Sequence, residues 1–336
     1  MKFEKKEIIK RICRIREETG HQKVKFPIKD IIFKNGVMLI ITFDRPEKST
    51  VIGKGGWVVG KLKEELNINS IHVEAYLDLL LKEYKIRLTM NKLEELLKSP
   101  DFGDFKPLNN LNKLLGKRLE NIYDFEAVLN KCKYIEKDNH AVVALSGGVD
   151  SSFSLIVAKI LGFNPIAVTV NPWGIILPRY FQKNVENLSG KLNVKHHYLE
   201  VDMDDIIKDS LAGRFHPCGR CSKVIKRAVL DYAKEISVPF LIYGDLLTTG
   251  SQSIVRENEI LKLNLPAMLS VSKGEIKNTA SKYGVLKKGG YGCPLLNEVH
   301  KKHPHMRKFS LQRILRETRA GILEPGKALE MIMKTI

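Results

Sequence analysis

Nowhere in the 336 residues does an apolar run approach the ~18 residues that cross a bilayer. The opening MKFEKKEIIKRICRIREE has neither an apolar signal core nor a small-residue cleavage site. A membrane-spanning or exported protein is not expected, and the cytoplasm is the expected compartment. Cysteine is scarce and odd in number: Cys13, Cys132, Cys218, Cys221 and Cys293 do not make a disulfide framework, and a chain of this length needs none. Acidic side chains are in deficit, 38 against 56 Lys plus Arg, for a net charge of +18. Such an excess favours polyanionic partners, nucleic acid first. What is present suits a folded chain of two or three domains: 43% hydrophobic and 28% charged residues exclude a disordered or fibrous protein.

Residues 1–90 read as helix 4–18, strand 37–43, helix 57–66, strand 71–76 and strand 83–89, a small α+β domain with more basic than acidic residues. Its informative stretch is Gly53-Lys54-Gly55-Gly56, after Val51-Ile52 and before an amphipathic helix opening at Trp57. Glycines there let the backbone come close to a phosphate chain, and Lys54 adds charge. The stretch resembles the GxxG loop of KH domains, which implies that Gly53, Lys54, Gly55 and Gly56 clamp RNA backbone. Residues 91–138 alternate leucines with polar residues and read as a helical linker packing on the next domain. Cys132 there and Cys13 in the first helix have no companions at ligand spacing and are expected to be structural thiols.

The third segment, 139–285, opens with Ala141-Val142-Val143-Ala144-Leu145, an apolar run that suits a buried parallel strand, followed by Ser146-Gly147-Gly148-Val149-Asp150-Ser151-Ser152 and a helix. Successive backbone N–H groups at such a turn, with three serine hydroxyls, suit an anionic group. A Walker A loop is excluded because its lysine is missing. The segment resembles the SGGxDS signature of the PP-loop ATP pyrophosphatases. That resemblance implies a doubly wound α/β domain that splits ATP into AMP and pyrophosphate while adenylating a carbonyl oxygen. Residues Ser146 to Ser152 would then bind ATP. Gly244 and Asp245, closing a later strand, and Thr249 after them are the expected completion of the site, with Thr169 and Asn171 approaching the adenosine. Asp150 and Asp245 are the candidate Mg²⁺ ligands, because a hard ion prefers carboxylate and phosphate oxygens.

Cys218-Gly219-Arg220-Cys221 reads as a metal or redox pair, and Cys293, between Gly292 and Pro294, stands far downstream as a third thiol. The arrangement resembles the tRNA thiolation branch of the PP-loop family, which implies a 4Fe-4S cluster on Cys218, Cys221 and Cys293. Two alternatives stay open: zinc with His216 as fourth ligand, and redox thiols carrying a persulfide. The region 286–336 is basic and helical, with nine Lys or Arg against two acidic residues between Leu286 and Ala320. It reads as an RNA track, with Lys301, Lys302, Arg307, Lys308, Arg313 and Arg316 on phosphates. Lys273 is a further candidate for a phosphate or RNA contact.

Together these readings describe an ATP-dependent tRNA sulfurtransferase. Asp150 and the three cysteines act at the reaction centre, and ATP, Mg²⁺ and the cluster are the cofactors. The partners are tRNA and a sulfur donor, whether sulfide, persulfide or a carrier protein, and a homodimer would lengthen the basic surface. Competing readings are an amidating or ligating enzyme on a small molecule with structural zinc, an RNA or thiobase desulfidase, and an RNA-binding module that only senses nucleotide. The absence here of terminal zinc-ribbon cysteine pairs or a THUMP domain, known in other thiolation enzymes, leaves the target base open.

Overall fold

A computed structural model describes residues 3–34, 36–132, 139–172, 174–285 and 292–336. The chain divides into two compact units, Met1–Tyr84 and Lys85–Ile336.

The first unit runs α1 (Lys5–Glu18), β1 (Ile28–Lys34), β2 (Val37–Thr42), α2 (Arg45–Ile52), α3 (Trp57–Leu66) and β3 (Ser70–Ala75). Strand β2 is central, antiparallel to β1 and parallel to β3. Ile8, Ile12 and Ile15 recur at helical spacing along α1 and meet Met38 and Ile40 of β2 and Val58 and Leu62 of α3 in one buried cluster. Helix α2 starts on a reciprocal cap between Asp44 and Glu47. Residues 83–89, expected as a strand, are helical within α4 (Tyr76–Leu97). Tyr84, Ile86 and Leu88 alternate like a strand, but the residues the helix buries are Ile86, Thr89 and Leu93, which follow the helical period.

In the second unit, α5 (Lys106–Glu120) and α6 (Phe125–Asn130) precede β4 (His140–Ala144), α7 (Val149–Ile160), β5 (Asn164–Asn171), α8 (Arg179–Lys191) and β6 (Lys195–Glu200). Then come α9 (Asp204–Leu211), α10 (Pro217–Glu235), β7 (Phe240–Tyr243), β8 (Ile254–Glu257), β9 (Ile260–Asn264), α11 (Leu265–Met268) and α12 (Lys273–Lys282). Helices α13 (Pro294–Lys302), α14 (Arg307–Arg319) and α15 (Pro325–Thr335) follow.

The six strands lie in the order β6-β5-β4-β7-β9-β8, parallel except for the β8/β9 pair. Ala141 and Val143 of β4 pack on one face with α7, while Val142 packs on the other with Val229 and Leu230 of α10. Helices therefore cover both faces, the doubly wound α/β architecture expected. Leu93, Leu111, Leu115 and Phe125 from the segment read as a linker are part of this core. Its end, 133–138, and residues 286–291, including Gly290 and Tyr291 before Cys293, lie outside the described residues. Among the described residues no helix is long and apolar enough to cross a membrane.

Candidate functional site

Strand order reverses at β4, which has β5 on one side and β7 on the other. The carboxyl edge at such a reversal is where open α/β sheets leave a crevice. The glycine loop leaves β4 there, and Gly148 caps α7, so Val149 to Ser152 form the helix's first turn. The N–H groups of Val149, Asp150 and Ser151 have no intrahelical acceptor, a geometry that suits an anion, while that of Ser152 donates to the Gly148 carbonyl at 3.0 Å.

Ser151 is committed to the loop itself: its Oγ donates to the Gly148 carbonyl at 3.0 Å and accepts from the Ser146 amide at 3.1 Å. The Ser146 hydroxyl lies 3.0 Å from the same oxygen. Ser152 is buried with no partner for its Oγ among the described residues. Gly147 has φ +74°, and a Cβ there would stand 2.4 Å from the Phe181 carbonyl oxygen. The loop is thus wedged against the first turn of α8, where the Asn184 amide also donates to the Gly147 carbonyl at 3.0 Å.

Thr169, at the end of β5, donates to the Leu145 carbonyl at 2.6 Å and meets His196 Nε2 at 2.8 Å. Its one hydroxyl proton goes to the carbonyl, so His196 Nε2 carries the proton shared with it. Thr169 therefore props the loop from below. Asn171 ends the same strand, buried. Gly244 follows β7, and a Cβ on it would stand 2.8 Å from the Ser151 nitrogen. Asp245 beside it is partly exposed and pairs with Lys226 of α10 at 3.3 Å, while Thr249 caps a short 3-10 turn further on.

Asp150 holds Lys273 of α12 at 2.5 Å through Oδ2, and its Oδ1 is buried with no partner among the described residues. An orphaned carboxylate oxygen in an anion-binding turn fits a hard divalent ion. Helix α12 is set by a reciprocal cap between Ser272 and Glu275. Glu275 also takes the fully buried Arg118 at 2.5 Å. The loop's link to Lys273, Asn184 and the Phe181 carbonyl was not readable from sequence. Only the Ser272-x-x-Glu275 capping signature marks the start of α12 in the sequence.

Cys218 and Cys221 lie in the first two turns of α10, which begins at Pro217 rather than after the pair. Their i, i+3 spacing puts both on one face of the helix. Lys226 of this helix meets Asp245, and Cys221 and Cys218 stand roughly 7 and 12 Å from it along the axis toward the amino end of the helix. Cys293 caps α13. Burial first, then the neighbouring Cys293, push the Cys218 thiol up to about 11, with Arg313 pulling the other way. Cys221 is likewise pushed up to about 11 by burial, Cys293 and Cys218. The three thiols, all free, are thus within electrostatic reach of one another.

Burial and Cys293 also raise Tyr180, whose neighbour Phe181 abuts Gly147. One turn of α8 therefore meets the glycine loop through Phe181 and feels the charge of Cys293 through Tyr180. A set of three thiols suits iron-sulfur ligation by its chemistry. Among the described residues, however, no three His, Cys, Asp or Glu side chains are already arranged to hold a metal ion.

The sequence-derived RNA residues fall in two places. Gly53, Lys54, Gly55 and Gly56 form the turn between α2 and α3. On α13 and α14, Lys301 pairs with Glu298 and Arg313 with Glu317, while Arg307 donates to the carbonyl of Ile336. Lys308 lies over Phe309, and Lys302 and Arg316 are exposed. Arg313, expected on RNA, also draws the Cys218 thiol value down by its charge.

No protein-family model matches the chain. Over 256 residues it is 36% identical to the uncharacterized protein MJ1638 of Methanocaldococcus jannaschii, which covers 76% of this chain and 94% of that one. It is distantly homologous to the tRNA-specific 2-thiouridylase MnmA 2 of Clostridium botulinum, at 27% identity over 163 residues, 44% of this chain and 46% of the relative. The match thus spans less than half of the thiouridylase. The solved U34-tRNA thiolase NcsA from Methanococcus maripaludis, with its 4Fe-4S cluster, aligns at TM-score 0.35 and 16% identity over 68% of this chain and 78% of that one. That likeness is too loose for an inference to rest on.

Proposed function

The chain belongs to the family of the Methanocaldococcus jannaschii protein MJ1638, and from that premise we propose that it is an ATP-dependent tRNA sulfurtransferase that replaces a nucleobase carbonyl oxygen with sulfur. One observation carries the reading. Three thiols from distant parts of the sequence come onto two helices that pack on each other, Cys218 and Cys221 on α10 and Cys293 at the start of α13, in the same unit as the glycine loop. The distant homology to a 2-thiouridylase supports the same chemistry.

The loop N–H groups and Lys273 would hold the ATP phosphates, and Asp150 and Asp245 would hold Mg²⁺, which would neutralise phosphate charge. The base carbonyl oxygen attacks the α-phosphorus and pyrophosphate leaves. A sulfur nucleophile then adds at the carbon, and the C–O bond breaks with release of AMP, which carries the former base oxygen. The chain's part is positioning and neutralisation of charge that develops on phosphate.

Cys218, Cys221 and Cys293 would hold a 4Fe-4S cluster. Three protein thiolates on four irons leave one iron open to sulfide, and that is the chemistry the cluster supplies when bound. Arg313 and Tyr180 shape the polarity around the thiols. The first unit supplies RNA contact through its GxxG turn, supported by the turn's position between two helices of a basic α+β unit. In the second unit the exposed Lys302, Lys308 and Arg316 are the RNA contacts.

A structural zinc site completed by His216 is the second reading. It is favoured by one observation: His216 Nε2 is buried with no partner among the described residues, two residues before Cys218.

Anaerobic purification with iron, acid-labile sulfide and zinc quantified per chain separates the two. Mass spectrometry of tRNA nucleosides after incubation with ATP and sulfide then tests the product. Iron with labile sulfide and a thiolated nucleoside are expected. Zinc without labile sulfide, or AMP formation with no new thionucleoside, overturns the sulfur role.

A further inference from the structure

Trp57 opens α3 directly after the GxxG turn and is 67% exposed. The next residue of that helix, Val58, is fully buried, so the indole projects from a well-anchored backbone. A tryptophan this bare gains nothing for the core, and its large flat surface costs solvation where it stands.

Its surroundings are specific. The indole edge lies beside Gly55, where a Cβ would be 3.5 Å from Trp57 Cδ1, while Gly56 and Gly60 have no neighbour within 4 Å of a Cβ position. Residue 60 is one turn on from residue 57, so the helix beside the indole carries no side chain and leaves room for a flat group. The turn itself is fixed, because the Lys54 amide donates to His21 Nε2 at 3.1 Å.

Charge completes the pattern. Much of the unit's basic surface is matched by acids: Lys48 pairs with Glu74, Arg45 with Asp78 and Arg14 with Glu65. Lys54 and Lys61, before and after the indole, have no ion-pair partner among the described residues. Glu64, two turns beyond Trp57, ends the basic stretch. Two free ammonium groups about a bare aromatic face and an open backbone suit an anionic ligand that carries its own aromatic ring.

We propose that Trp57 is a stacking platform for one unpaired base of RNA, with Lys54 and Lys61 on the flanking phosphates. The inference deepens the RNA reading of the first unit and rests on it. It adds a requirement that a backbone clamp alone does not impose: the bound nucleotide must be unpaired so that its face is free. Stacking tolerates any base, so the site selects for single-strandedness and not for sequence.

The test uses the full chain, a fluorescein-labelled oligouridylate and a blunt RNA duplex carrying the same label, both read by polarisation. Trp57→Ala is expected to weaken single-strand binding by about five- to a hundredfold, the range for losing one stacked base. Trp57→Phe should retain most of the affinity, and duplex binding should not change. In a Trp173→Phe background, which leaves Trp57 as the sole tryptophan, the single strand should quench emission to saturation.

Unchanged single-strand affinity in Trp57→Ala, with a clear loss in the Lys54→Glu/Lys61→Glu double variant, overturns the stacking while the RNA reading stands. No loss in any of these variants overturns both. Trp57 is exposed, so its truncation leaves the fold of the unit intact.

Discussion

Lys273 Nζ stands 2.5 Å from Asp150 Oδ2, joining the first turns of α12 and α7 at the mouth of the glycine loop. Lys273 is mostly covered and so is Asp150, so the pair is shielded from solvent screening. When phosphate enters, the ammonium can turn to it and free the carboxylate for a divalent ion. Lys273→Ala is therefore expected to lower AMP formation by about 10²–10³-fold, measured by chromatography of labelled ATP products. Asp150→Asn should abolish it. An unchanged rate in Lys273→Ala would mean that the lysine only neutralises Asp150.

Gly244 tests the close approach of β7 to α7. A Cβ there would meet the Ser151 nitrogen at 2.8 Å and the Asp150 carbonyl carbon at 2.9 Å, both backbone atoms that cannot swing aside. Gly244→Ala should push the first turn of α7 out of place. We expect a stability loss of about 1–3 kcal/mol, as for other overpacked sites, and ATP binding weakened by more than that loss explains. Calorimetric titration with a non-hydrolysable ATP analogue, beside urea unfolding, separates the two effects.

The position of Lys273 depends on a buried pair. Arg118 is fully buried, lies over Phe125, and its guanidinium meets Glu275 at 2.5 Å. Glu275 also accepts from the Ser272 amide at 2.8 Å, closing the cap of α12. Truncating Glu275 to Ala leaves a buried charge unpaired, and a cost of about 3–5 kcal/mol is expected in urea unfolding. Combining it with Arg118→Met should recover part of that loss, because the charge left behind is then removed as well.

Much of the nucleotide half was legible because its signals are local. An apolar run, a glycine turn and a helix start follow one another in Ala141 to Ser152, and they fold as β4, loop and α7. Local signals failed in two places. Asp44-Arg45-Pro46-Glu47 carries the cap that starts α2, but the helix is too short to add an apolar period of its own. At 83–89 a short alternation outweighed the longer helical period of α4. The contacts of Lys273, Asn184 and Arg118 were not legible in principle, because they join residues far apart in the chain and follow from the packing of helices on the sheet.

Acid should loosen the second unit through its buried histidines. Burial first, and His197 second, hold His196 below the usual histidine value, with Glu186 opposing. A depressed folded-state value means that the unfolded chain takes up the proton first as pH falls. This contribution to stability is full above the ordinary value near 6.5 and is lost as pH falls through the lowered one. Tm should therefore drop between about pH 7.5 and 5, the range where histidine titrates, and His196→Asn should flatten the drop. His300, also lowered by burial and by His216 and Arg307, supplies residual slope. A His196→Asn profile parallel to that of the parent chain would show that the Thr169 contact is not titration-sensitive.

The cysteines divide by their surroundings into two kinds. Cys132 is buried, and its Sγ meets the Val128 carbonyl at 3.4 Å inside α6's terminal turn. Cys218, Cys221 and Cys293 are partly exposed, and Cys293 raises the thiol values of Cys218 and Cys221. Serine at any of these three should remove most bound iron and labile sulfide while leaving ATP affinity within about twofold, because the loop contacts of Ser151 and Asn184 do not pass through them. Cys132→Ser should do the reverse, keeping the metal and lowering stability by about 1–3 kcal/mol, the cost of a poorly matched buried polar group. Iron analysis and urea unfolding on the four single variants check both halves. Iron retained in Cys293→Ser would remove Cys293 from the ligand set, whereas iron absent from the parent chain as well would leave Cys218 and Cys221 as a pair for which thiol–disulfide chemistry is the simpler account.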